Sequence, residues 1–178
     1  MRLLVLGTSN SILKGGYVDA LRNRTEIAHL DRIGPGGSTS IMLPYFGAEV
    51  DFGSYDYLIL DTSVNDGAFA SWGALTQSEI IDNLRWLCHN ATISGCSPVF
   101  LCMPNRTFLE GQDPALASYL LVASEFSIPV LDGYQAVRQM AADDDLPVAD
   151  FFIDDLHLRP EVAVRLAPQL LAMCCPVV

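Results

Sequence analysis

At 178 residues the chain is long enough to bury one substantial core and short for two. Apolar residues make up 51% and charged residues 17%, which excludes disorder as a description of the whole. Lys and Arg number 10 against 21 Asp and Glu, a formal charge of −11, and the basic residues are scattered, so nucleic acid is not an expected partner.

Leu3–Leu6 is a continuous apolar run, too short for a signal-peptide core, and it predicts a buried strand closing at Gly7. Gly15–Arg24 predicts a short amphipathic helix and Thr25–Ile33 a second strand, which leads into the Gly-rich loop GPGGSTS. The run YDYLILD (Tyr55–Asp61) is the strongest strand signal, and the polar loop TSVNDG is expected after it. Ser78–Ala91 has helical spacing, with Thr76 and Glu79 placed as a capping box. Strand, helix, strand and helix are then predicted over Pro98–Met103, Ala115–Phe126, Ile128–Leu131 and Gln135–Ala142. Ala149–Ile153 reads as a final short strand or extended lead-in, and Glu161–Cys174 as a closing helix.

Apolar strands alternating with helices imply strands covered on both faces, hence a parallel α/β sheet in a single domain spanning 1–178. No apolar stretch approaches the roughly 20 residues that a membrane span requires, and a cytoplasmic location is the expectation. The five cysteines include no CxxC pair and lie mostly in apolar runs, so they are expected to be reduced, buried thiols with no metal to hold.

In open parallel sheets ligands bind beyond the carboxyl ends of the strands, which directs attention to four polar segments. Ser9, in Gly7-Thr8-Ser9-Asn10-Ser11, offers a hydroxyl after the first strand, although Ser and Asn there also serve as helix caps. Asp154-Asp155-Leu156-His157 places a carboxylate three residues before an imidazole, the pair that a serine nucleophile needs as base and orienter. The Gly36-Gly37 pair can present an unobstructed N–H, and the Asn65 amide is a neutral donor suited to an oxyanion. Taken singly, Asn65 reads as a turn residue and Gly37 as a backbone necessity. GxxxxGK[ST] and GxGxxG are both absent, which weakens nucleotide binding.

Taken together, GTS with Ser9, GGSTS with Gly37, SVND with Asn65 and DDLH with Asp154 and His157 resemble, in order, the four blocks of the SGNH (GDSL-type) hydrolases. The resemblance implies a flavodoxin-like three-layer α/β/α sandwich with a central parallel sheet. It implies a catalytic triad of Ser9, His157 and Asp154, with Asp155 the less suitable partner. The oxyanion hole would be the Ser9 and Gly37 N–H groups and the Asn65 side chain. Two positions depart from the family pattern: Thr8 stands where GDS has an acid, and Ser63 where GxND has glycine. The expected activity is a cofactor-free serine esterase or deacylase on a small ester, an O-acetylated carbohydrate among the candidates. An O-acyltransferase to a sugar hydroxyl and a non-catalytic anion-binding module on the same fold are the alternatives.

Overall fold

Residues 1–175 are described by a computed structural model. The apolar runs become β1 (Arg2–Gly7), β2 (His29–Ile33), β3 (Tyr57–Asp61), β4 (Ser97–Cys102) and β5 (Val130–Asp132). They form one sheet in the order β2-β1-β3-β4-β5 with every pairing parallel. Leu6 pairs with Ile33 on one side and Leu60 on the other, so the carboxyl ends of the three strands are nearly level.

Successive strand residues serve opposite faces, which explains why whole runs are apolar rather than alternating. Leu3, Val5, Ile59, Val99 and Leu101 pack under α1 (Tyr17–Arg22), α6 (Gly133–Asp144), α7 (Pro160–Ala163) and α8 (Ala167–Cys174). Leu4, Leu6, Leu58, Leu60 and Phe100 pack under α2 (Leu43–Ala48), α4 (Gln77–Ile93) and α5 (Leu116–Phe126). The remaining helix, α3 (Ser63–Ser71), follows β3 directly. The expected three-layer sandwich is thus present, and so is the capping box: Thr76 N–H donates to Glu79 Oε2 at 2.8 Å, and Glu79 N–H donates back to the Thr76 hydroxyl.

Several elements differ from the sequence reading. The second strand is shorter than expected, starting at His29. Ala149–Ile153 is no strand: a 3-10 turn spans Val148–Phe151, and only Phe152 bridges, antiparallel, to Leu158. The closing helix is interrupted by a 3-10 turn at Val164–Leu166, because Pro168 lacks an N–H and fits only the first turn of a new helix. Cys88, Cys96, Cys102 and Cys174 are buried and free, and burial pushes the thiols of Cys88, Cys96 and Cys174 up to about 12. No helix among the described residues is long and apolar enough to cross a membrane.

One glycine fixes how the Gly-rich loop leaves β2. Gly34 has φ +121°, and a methyl group there would stand 2.3 Å from the Gly7 carbonyl oxygen at the end of β1. Gly34→Ala is expected to destabilise the protein by at least about 1–3 kcal/mol from backbone strain alone. Urea unfolding should show a lowered midpoint at unchanged m; an unchanged midpoint would contradict the close approach.

Candidate active site

The chain turns from β1 to β2 on one side and from β3 to β4 on the other, so the sheet has its switch point at the carboxyl ends of β1 and β3. Ser9 opens a 3-10 turn, Ser9–Ser11, straight after β1. Thr8 is fully buried and caps this turn, its hydroxyl accepting the Asn10 N–H at 3.3 Å. An acid is expected at position 8 in the family pattern; here a neutral hydroxyl does the local capping.

The Asp154–His157 segment folds on itself. Asp154 Oδ1 accepts the N–H groups of Leu156 at 2.8 Å and His157 at 2.9 Å, a side-chain turn of the kind Asp favours. Ile153 N–H donates to the His157 carbonyl at 2.8 Å and closes the loop at its base. This local geometry sets the His157 ring against its own carboxylate, with Nδ1 2.8 Å from both Asp154 oxygens. Partial burial opposes ionisation of Asp154, but the Leu156 N–H and the His157 ring prevail and hold its carboxyl below the usual range. The other nitrogen, His157 Nε2, lies 2.7 Å from Ser9 Oγ. Residues separated by 148 positions therefore meet at hydrogen-bond distance. Asp155 points elsewhere, accepting Arg106 Nη2 at 2.7 Å, while its carbonyl accepts the Arg106 N–H.

Gly37 and Asn65 are both connected with the Gly-rich loop. A methyl group on Gly36 would lie 3.7 Å from the Ser9 Cβ, so the Gly-rich loop passes over the serine. Asn65 Nδ2 donates to the Ser38 carbonyl at 2.8 Å, which ties α3 to that loop and leaves the second amide hydrogen unused by this bond. Gly37 sits between these contacts at φ +78°, a backbone shape that side chains resist. Asn65 was expected in a loop and instead lies in the first turn of α3. Ser63, the second departure, begins that helix in ordinary backbone geometry; its buried hydroxyl has no hydrogen-bond partner among the described residues.

Two residues essential to this arrangement escaped the sequence reading. Asp61, at the end of β3, accepts the Thr8 N–H at 2.6 Å and the Tyr17 hydroxyl at 2.5 Å. Asp66, on α3, accepts the Ser40 N–H at 2.7 Å and the Tyr119 hydroxyl at 2.6 Å. Burial raises both carboxyls to about 6, against the pull of these donors. A carboxylate ending an otherwise apolar strand was the available signal for Asp61.

The other singled-out residues stay apart. His29 pairs with Asp31 on β2, and His89 is exposed on α4. Phe69 and Trp72 are exposed on and just beyond α3, with ring centroids 5.4 Å apart. A cavity of about 300 Å³ beyond β5 is lined by Phe108, Leu116, Leu120, Tyr134 and Arg138, among others, and by none of Ser9, Asn65 or His157. Among the described residues no group of three His, Cys, Asp or Glu side chains is arranged to hold a metal ion.

No protein-family sequence profile and no curated protein sequence matches this chain. Solved structures do match, over nearly the whole length. An acetyl xylan esterase superposes with a TM-score of 0.78 at 13% identity, over 97% of this chain and 98% of that one. An acetylxylan esterase from Geobacillus stearothermophilus gives 0.77 at 16% identity, over 98% and 94%. A psychrotrophic esterase from Pseudoalteromonas sp., in a structure inhibited by monoethylphosphonate, gives 0.71 at 15%, over 97% and 95%. At such identities the likeness is one of fold.

The buried carboxyls make stability depend on pH. A folded-state value near 6 lies above the unfolded value of about 3.9, so the fold favours the neutral acid and loses stability as pH rises through that window. For Asp61 the loss between pH 4 and 6 is expected to be roughly 2 kcal/mol relative to Asp61→Asn. Denaturant midpoints of both proteins across that range check it; parallel curves would refute it.

Proposed function

We propose that this protein, built on the SGNH-hydrolase fold, is a serine esterase that cleaves small esters through an acyl-enzyme on Ser9, with O-acetylated carbohydrate as its substrate class. The observation that carries the reading is the line from Asp154 through His157 to Ser9, with spacings of 2.8 and 2.7 Å. The substrate class draws on the acetylxylan esterases among the structures of like fold. It also fits the exposed Phe69 and Trp72 rings, whose faces suit the apolar side of a sugar.

In this reading Ser9 Oγ attacks the ester carbonyl carbon while its proton passes to His157 Nε2. The carbonyl oxygen becomes an oxyanion, taken up by the N–H groups of Ser9 and Gly37 and by the free amide hydrogen of Asn65. Collapse breaks the ester C–O bond, and His157 returns the proton to the leaving alkoxide. Water, deprotonated by the same nitrogen, then releases the acid and restores Ser9. Asp154 holds the proton of His157 on Nδ1, so that Nε2 is the accepting nitrogen, and it stabilises the imidazolium between the two transfers.

A fluorophosphonate probe should label Ser9, as mapped by peptide analysis, and labelling should be lost in His157→Ala. A folded wild-type protein that remains unlabelled would overturn the esterase reading. Asn65→Ala should lower kcat on p-nitrophenyl acetate by roughly 10²–10³-fold. Ser9→Ala and His157→Ala should be about equally severe, and their combination should cost little more, since the two act as a unit.

A further inference from the structure

Asn10 is polar, only 1% exposed, and adjacent to Ser9, and its side-chain hydrogen bonds reach outside its own turn. Its Nδ2 donates to the Leu156 carbonyl at 2.9 Å, and its Oδ1 accepts the Leu158 N–H at 3.3 Å. These two backbone groups flank His157. A neighbouring residue in a parallel sheet pairs in the same pattern, contacting the residues before and after its opposite number. The amide thus docks on the His157 segment as a one-residue strand would.

We infer that Asn10 is the positioning residue that sets His157 against Ser9. The assignment rests on the esterase reading of those two residues. Only an amide presents a donor and an acceptor side by side; a carboxylate lacks the donor, and a hydroxyl is too short to span both groups. The Asp154–His157 contact is internal to its loop and fixes the ring relative to the loop, not relative to Ser9. Asn10 supplies the missing reference, because its backbone follows Ser9 directly and is itself held by the Thr8 hydroxyl. The loop's other ties run to Arg106, through an exposed ion pair with Asp155 that contributes little and an N–H bond to the Asp155 carbonyl; both fix the loop to the segment after β4 and not to Ser9.

The test uses Asn10→Ala, which removes both contacts, and Asn10→Asp, which keeps volume and acceptor but replaces the donor with a carboxylate oxygen facing the Leu156 carbonyl. With p-nitrophenyl acetate, kcat should fall about 10–100-fold in each while KM stays within about twofold, the scale of a misplacement near 1 Å. In a His157→Ala background the same substitutions should cost almost nothing further, because Asn10 acts through His157. Arg106→Ala should leave kcat within about threefold. A folded Asn10→Asp with unaltered kcat, or a full additional loss without His157, overturns the inference. Amide exchange reads the anchor without substrate. Leu158 N–H should exchange at least tenfold faster in Asn10→Ala, and unchanged exchange overturns the inference whether or not the wild type hydrolyses esters. A wild type inert to esters and phosphonates overturns the esterase reading instead, and leaves Asn10 to be judged on exchange alone.

Discussion

Everything at the carboxyl edge of the sheet depends on two carboxylates that have no access to water. Asp61 and Asp66 each join a loop N–H to a tyrosine hydroxyl, one reaching toward α1 and the other toward α5. A buried carboxylate is costly unless its lone pairs are filled, and here two donors converge on each. The arrangement therefore has few alternatives: moving either loop would strip a donor from an acid that cannot be resolvated. Burial and the adjacent Asp61 push the Tyr17 phenol upward, so the tyrosine remains a donor at any ordinary pH.

Precision passes outward from these acids by single hydrogen bonds. Asp61 holds Thr8, Thr8 holds the Asn10 backbone, and the Asn10 amide holds the segment on either side of His157. Asp66 holds Ser40, while Asn65 holds Ser38, so the loop carrying Gly37 is fixed from α3 at two points. In the esterase reading, nucleophile and base are referred back to Asp61 on β3, and the oxyanion donors to α3 directly after it. Preorganisation of this kind is what electrostatic stabilisation of a transition state requires, because donors already aimed need no reorganisation when charge appears.

The sheet was legible in the sequence because burial on both faces demands unbroken apolar runs, and Leu3–Leu6 and Tyr57–Leu60 have no other use. The four polar blocks were legible because each follows, or is placed among, such runs. What escaped depends on contacts distant in sequence. Asn65 was read as a turn residue since SVNDG is rich in turn formers. The segment is helical because Asp66 spends its oxygens on Ser40 and Tyr119 rather than on its own backbone, and because Gly67 makes room for the Asp113 carboxylate, 2.5 Å from where a methyl would stand. Likewise, nothing local to Asn10 announces that its amide will meet Leu156 and Leu158. Thr8, which looked like a loss of charge, is explained only once the carboxylate of Asp61 is seen beneath it.

The distance along the chain between Ser9 and His157 has a consequence for biogenesis. In a polypeptide emerging from the ribosome, Ser9 and all five strands precede the histidine. A truncated product ending before residue 154 would hold the whole sheet, yet its Ser9 hydroxyl would stand without the imidazole that meets it in the finished fold.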